Sequence, residues 1–262
     1  SYLPKQDVII GRGVDDNKGS AIAGLFAIRC LRELGWPMKH GLRLLCGLSE
    51  ETGMQDMQHL LKAGFKFPKV SLVPDAGFPV NYGQKGSMDA DLQFPCGGAL
   101  VRFDAGSVRN VIPDRAECVL ALPPRQVASA MMELARSQAA SITIEACDEG
   151  TRITAHGRAG HAAFPQGADN AIARLTGVLA ASGLLGGSCA HAIQQVAELT
   201  ADPWGQSEGV ACKDDISGEL TLVYGVAHLS GGVLTLSADC RYPIHADGEG
   251  LEKQLLAHWQ SR

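Results

Sequence analysis

Four acidic residues stand where three short apolar runs end. Asp16 follows Val8-Ile9-Ile10, Glu50 and Glu51 follow Leu42 to Leu48, and Asp75 follows Val70 to Val73. Carboxylates converging on one place repel one another, and a bound divalent cation removes that repulsion. The spacing therefore points to a carboxylate-rich metal site. Each residue singly also suits a helix cap or a turn, roles that Asp fills often. Three such positions at three successive run ends favour the metal reading. The adjacent pair Glu50-Glu51 can divide labour, one carboxylate holding a cation and the other taking a proton from its water. The base needs a pKa raised toward neutrality, which burial can supply.

The elements that must position these residues are legible in outline. Short apolar runs alternating with helical patterns read as parallel strands, and ligands gather beyond the carboxyl ends of such strands. The spacing predicts strands at 7–10, 42–48 and 70–73. It predicts helices over 19–34, with Ile22, Leu25, Phe26 and Leu31 at helical intervals, and over 54–63. Gly35 and Gly64 read as their stops. Beyond about residue 86 the texture changes to alternating stretches at 88–94 and 116–122. Hairpins are expected around Asp148-Glu149-Gly150 and Gly231-Gly232, and helices at 127–140, 170–185 and 251–259. The expected architecture is α/β: part of a parallel-sheet catalytic domain over 1–90, then an α+β domain over 91–262.

Composition narrows the function classes. The chain has 262 residues, 45% of them hydrophobic and 19% charged, with a formal net charge of −5. No basic run stands out, so nucleic acid and anionic membranes are not expected partners. No apolar stretch reaches the roughly 20 residues of a membrane span. Ser1 to Gln6 lack the pattern of a signal peptide. Eight cysteines occur singly, most among apolar neighbours as in Leu45-Cys46-Gly47. They read as buried free thiols in a reducing cytoplasm.

Three motifs carry a resemblance. Gly11-Arg12-Gly13-Val14-Asp15-Asp16-Asn17-Lys18-Gly19, Glu50-Glu51-Thr52-Gly53 and Pro74-Asp75-Ala76 resemble those of the two-zinc peptidases that include carboxypeptidase G, aminoacylase and the dipeptidase V group. The run from Val73 to Pro79 is similar to the dipeptidase branch. Gly160-His161-Ala162-Ala163-Phe164-Pro165, with Gly167 and Asn170-Ala171, is similar to the family's lid motif. Asp239-Cys240-Arg241-Tyr242-Pro243 is similar to its later lid strand.

The resemblance implies a ferredoxin-like lid over 91–262 and two divalent metal ions, zinc foremost, with manganese or cobalt as alternatives. Asp16 would bridge the metals, Glu51 would complete one and Asp75 the other. Glu50 would be the general base and His161 the oxyanion donor. Arg241 would grip the substrate's terminal carboxylate, and Asn110 would assist in the substrate pocket. The implied reaction is hydrolysis of the amide bond of dipeptides or short peptides with a free carboxylate. An N-acyl amino acid deacylase of the same architecture is the nearest alternative. An inactive folding or homodimerisation module, using Gly160, Ala162, Ala163 and the helix after Asn170, is an alternative from another class.

The sequence departs from the family pattern in three places. It contains neither the family's upstream His-x-Asp motif nor its late metal-binding histidine, and Gly77 stands where the pattern has Glu. The expectation is an internal fragment of a longer cytoplasmic peptidase, with negligible turnover by itself.

Overall fold

The computed structural model of the chain describes residues 2–3, 6–50, 53–77, 79–137 and 141–262. The chain divides into two compact units, Ser1–Tyr82 and Gly83–Arg262.

In the first unit, β1 (Tyr2–Leu3) and β2 (Val8–Ile9) form a short antiparallel pair. A kinked turn at Val14–Lys18 leads into α1 (Gly19–Glu33). Helix α1 ends as its sequence predicts. Gly35 takes a φ of 62°, and the N–H of Trp36 reaches back to the carbonyl of Leu31 at 3.1 Å. That closure satisfies carbonyls the helix leaves open, and the positive φ suits glycine. Helix α2 (Gln55–Lys62) closes the same way through Gly64, with the Phe65 N–H on the Leu60 carbonyl.

The expected parallel strands at 42–48 and 70–73 do not form: neither run joins a ladder among the described residues. A parallel strand needs neighbours to receive its slanted hydrogen bonds, and the described part of this unit offers only β1 and β2. Leu48, Leu72 and Val73 consequently stay exposed.

The second unit holds the main core. Its elements are β3 (Gly86–Pro95), β4 (Leu100–Ala105), β5 (Val111–Ile112), β6 (Arg115–Leu120), α3 (Pro124–Ser137), β7 (Ile142–Cys147), β8 (Gly150–His156) and β9 (Gly160–His161). There follow α4 (Ala171–Ser182), α5 (Gly187–Thr200), β10 (Lys213–Asp214), β11 (Gly218–Glu219), β12 (Thr221–Ser230), β13 (Val233–Tyr242) and α6 (Gly248–Gln260). Seven strands form one antiparallel sheet in the order β3-β13-β12-β4-β6-β8-β7. The chain is thus mixed α/β, with its large sheet antiparallel.

Strand alternation sorts the two faces of this sheet. Leu92, Phe94, Phe103, Cys118, Ile153, Leu222, Tyr224, Leu234 and Leu236 join one core with Met131 of α3, Ile172 and Leu175 of α4, Ile193 and Val196 of α5, and Leu255 of α6. The helices therefore cover that face. Leu234 and Leu236 are fully buried; removing such a side chain costs about 2–5 kcal/mol. Gly231 and Gly232, with φ of 57° and 79°, make the two-residue turn between β12 and β13. Both positions require positive φ, which explains the Gly-Gly pair. Tyr224 ties α6 to the sheet: its hydroxyl donates to the buried Glu208 at 3.1 Å and accepts from the Trp259 indole N–H at 3.2 Å.

The cysteines divide. Cys96, Cys118, Cys189 and Cys240 are buried, whereas Cys30 and Cys46 are exposed. The apolar neighbours of Cys46 belong to the run that forms no strand. Among the described residues no helix is long and apolar enough to cross a membrane.

Candidate active site

In the first unit, Asp16 lies in the turn entering α1. Gly13 has a φ of 70°, and a side chain there would press on the Asp16 carbonyl at 3.2 Å, so the Gly-Arg-Gly run is what this turn requires. The next residue, Asn17, makes the decisive contacts. Its amide donates to the Pro74 carbonyl at 2.9 Å and to Asp75 Oδ1 at 2.8 Å. The first and third acidic motifs, 58 residues apart, are therefore fastened together and Asp75 is oriented by the neighbour of Asp16.

Glu50 starts the turn into α2, its carbonyl accepting from the Gly53 N–H at 3.2 Å. Its side chain is exposed, so the burial expected around this base is not present. Beside it, Ser49 and Asp56 hold each other across the turn, with the Asp56 N–H on Ser49 Oγ at 3.2 Å. Glu51 lies outside the described residues. Asp16 and Asp75 are also exposed.

Among the described residues, no group of three or more His, Cys, Asp or Glu side chains gathers as a metal site. Asp16 and Asp75 do supply two carboxylate segments joined by one amide, with Asp75 Oδ2 left outside that bond. This fits part of a divalent-cation site. Oxygen donors suit hard cations, and zinc is usually completed by nitrogen or sulfur.

In the second unit, His161 and Asn110 come together. Strand β9 pairs with β5, setting His161 opposite Val111. The Ala162 N–H donates to the Asn110 carbonyl at 2.8 Å. The Ala163 N–H points at His161 Nδ1 at 3.1 Å. In the neutral ring that contact assigns the proton to Nε2, on an exposed imidazole. An Nε2–H is a hydrogen-bond donor, the type of group that can stabilise a developing oxyanion.

Arg241 lies on β13, paired with Thr221 of β12. Its Nε donates to Asp239 Oδ1 at 2.8 Å and its Nη2 to Oδ2 at 2.7 Å. Asp239 is 1% exposed. The bidentate pair fixes the guanidinium plane and engages the fork expected to meet a substrate carboxylate. Nη1 is not part of the pair.

One sheet face collects these groups. Asp239 and Arg241 alternate with Ala238 and Cys240, which join the helical core, so they point to the other side. Asp89 and Asp91 of β3, opposite Asp239 and Ser237, share that side. Arg109, next to Asn110, reaches Asp91 at 3.4 Å and Asp89 at 4.0 Å. Val223 on the same face packs on Ile112 and Ala162, the flank of His161. The face uncovered by helices thus carries His161, Asn110, Arg109 and Arg241.

Two further residues hold this arrangement: Gly225, which the sequence did not single out, and Asn170, which it placed in the lid motif without a partner. Strand β12 bulges between Tyr224 and Val226. A Cβ on Gly225 would strike the Arg109 carbonyl at 2.3 Å and that of Val111 at 2.7 Å, so only glycine lets the Asn110 segment lie on the strand. Asn170 caps α4 by accepting from the Ile172 N–H at 2.9 Å, and its amide donates to the Tyr224 carbonyl at 2.9 Å. A Gly in a strand marks close backbone approach and Asn before a helix marks a cap, so each carried a signal for its type, though not for its partner.

Residues 2–217 match the family described as peptidase family M20/M25/M40. "Putative dipeptidase YtjP" of Bacillus subtilis is 28% identical over 252 residues, covering 92% of this chain and 54% of its own. "Beta-Ala-Xaa dipeptidase" of Lactobacillus delbrueckii subsp. lactis is 26% identical over 265 residues, covering 97% and 55%. A dipeptidase-named protein of Staphylococcus aureus is 27% identical over 235 residues, covering 84% and 49%. The chain spans about half the length of these relatives. With a family match running from residue 2 to residue 217, the chain belongs to peptidase family M20/M25/M40.

Proposed function

We propose that this chain supplies residues for metal-dependent hydrolysis of the amide bond in dipeptides or short peptides with a free carboxylate. Two relatives bear dipeptidase names, and the family is one of peptidases. The single observation that carries the reading is the Asn17 amide, which binds Asp75 and so joins the Asp16 and Asp75 segments.

Asp16, Asp75 and Glu51 would hold divalent metal ions, which supply Lewis-acid polarisation of the scissile carbonyl and a water acidified toward neutrality. Glu50 would take a proton from the attacking water and deliver it to the leaving amine. His161 donates from Nε2 to the oxyanion as the carbonyl becomes tetrahedral. Arg241 receives the substrate carboxylate through Nη1, its plane held by Asp239. Asn110 shapes the pocket wall next to His161. A carboxylate held at one end fixes how many residues can lie between it and the cleaved bond.

The test assays purified protein with and without added divalent metal. The reading expects dipeptide hydrolysis that requires added zinc, manganese or cobalt, stops with chelator, and drops at least about 100-fold in Glu50→Gln. Faster cleavage of N-acetyl amino acids than of dipeptides would move the assignment to a deacylase. Hydrolysis of neither substrate, with metal bound, refutes it.

A further inference from the structure

Among the described residues, two buried side-chain polar atoms have no hydrogen-bond partner. One is Arg152 Nε, which still lies 3.1 Å from the Glu117 carboxylate. The other is the hydroxyl of Thr221, a residue 1% exposed at the start of β12. A buried hydroxyl without a partner has lost its bonds to water with no replacement, so it calls for an explanation. Shape alone does not ask for threonine here, since valine has the same outline and leaves no polar atom unpaired.

The place of Thr221 in the sheet supplies the explanation. It stands directly opposite Arg241 of β13, and Arg241 stands opposite Ser87 of β3. Residues opposed across antiparallel strands share a face. Ser87, Arg241 and Thr221 therefore form one row across three strands: hydroxyl, guanidinium, hydroxyl. The row lies on the face without helices, because the adjoining Leu222 and Cys240 enter the helical core. Burial deepens along it, with Ser87 exposed, Arg241 half-buried and Thr221 buried. The next residue of β12 on this face is Val223, which packs on Ile112 and Ala162 beside His161. Same-face positions on a strand lie about 7 Å apart, so the row sits close to the imidazole's flank. All of these residues belong to the second unit.

Arg241 needs a helper in this position. Asp239 already balances its charge and occupies Nε and Nη2. A substrate carboxylate reaching Nη1 brings two oxygens to one remaining donor group. A neutral hydroxyl beside it adds a directed hydrogen bond without adding charge. A second cation stands near the same end of the row, where Lys85 Nζ donates to the Glu219 carbonyl two residues before Thr221. We infer that Thr221 is a substrate-binding residue, its hydroxyl donating to one oxygen of the terminal carboxylate while Arg241 Nη1 holds the other. This rests on the proposed role of Arg241 as receiver of that carboxylate. The unpaired hydroxyl is then a donor held ready for a ligand, and the cost of leaving it unbonded in the free protein is recovered on binding.

The experiment measures binding of L-alanyl-L-alanine and of its C-terminal carboxamide to the full chain by NMR titration, with chelator present so that neither is hydrolysed. The parent should prefer the carboxylate, and Arg241→Met should remove that preference. Thr221→Val should weaken dipeptide binding about 10- to 100-fold, the range of one hydrogen bond to a charged group, and weaken carboxamide binding less. Thr221→Ser keeps the hydroxyl and should bind as the parent does. Because the hydroxyl is unbonded in the free protein, Thr221→Val should also melt no lower than the parent. Weaker binding at an undiminished Tm is a combination that a merely structural threonine would not give. If Thr221→Val binds the dipeptide as the parent does while Arg241→Met loses the preference, Thr221 has no part in the site and Arg241 keeps its role. A Tm lower by more than about 2 °C in Thr221→Val shows that the hydroxyl is bonded within the fold, and overturns the inference as well. A parent that binds both ligands equally removes the carboxylate role of Arg241, and the inference falls with it.

Discussion

Asn170→Ala is the substitution that best tests how the His161 face is held. The side chain performs two separable jobs. Its Oδ1 accepts the Ile172 N–H and caps α4, and its Nδ2 donates to the Tyr224 carbonyl just before the bulge at Gly225. Losing an Asn cap costs about 1 kcal/mol. Leaving a part-buried carbonyl without its donor costs about 1–2 kcal/mol more. Asn170→Ala should therefore lose about 2–3 kcal/mol, seen as a lower urea midpoint at unchanged slope. Asn170→Ser keeps a capping oxygen but cannot span to Tyr224, so it should recover about 1 kcal/mol of that loss. The reasoning fails if Asn170→Ala unfolds within about 0.5 kcal/mol of the parent, or if Ser at this position is no better than Ala.

Three further perturbations probe other parts of the same unit. Gly225→Ala forces a Cβ against the Arg109 and Val111 carbonyls; we expect about 1–3 kcal/mol of destabilisation and displaced amide NMR resonances for Asn110 to Ile112, with the signals of β7, at the far edge of the sheet, unmoved. Arg241→Met strands the buried Asp239 carboxylate and should cost about 2–3 kcal/mol, moderated because Arg241 is itself partly exposed. The double variant Asp239→Asn with Arg241→Met should recover more than half of that loss in thermal unfolding, and simple additivity would contradict the coupling. Burial raises the Glu208 carboxyl above its unfolded value of about 4.3, opposed by the Ser207 and Tyr224 hydroxyls. A raised group holds its proton more tightly when folded, so its stabilising contribution is complete below the unfolded value and is lost as pH rises through the folded one. Denaturant titrations should show that slope above about pH 4.3 in the parent and a flatter profile in Glu208→Gln.

The sequence was readable where a single element settles its own fate. Helix α1 and its Gly35 stop, the hairpin through Gly231-Gly232, and the alternation of β3 need only local periodicity and turn chemistry. Helix α5 was missed although Ala192, Ile193, Val196 and Leu199 repeat at helical spacing. The Gly186-Gly187 pair before it resembles a continuing loop. Strand β4 was missed because a register shift between Leu100 and Arg102 breaks its alternation. The runs at 42–48 and 70–73 failed for a different reason. Their apolar character matches a buried parallel strand, but strand formation depends on a neighbour, and composition carries no record of which neighbour is present.

The site divides along the same line. Acidic residues at run ends, a histidine after glycine and an arginine near a strand end announce chemistry by type. What fixes their geometry is tertiary: Asn17 reaching 58 residues to Asp75, Asn170 reaching 54 to Tyr224, and Gly225 yielding space to the Arg109 carbonyl. Asp239-Cys240-Arg241 shows how the two kinds of information meet. The i, i+2 spacing on a strand puts acid and base on one face, so the pairing of Asp239 with Arg241 follows from the pleat once the strand is known. It also changes what Arg241 can do. On the proposed reading, a guanidinium already gripped through Nε and Nη2 would offer a substrate carboxylate one remaining edge in a preset plane, trading binding strength for a fixed direction of approach.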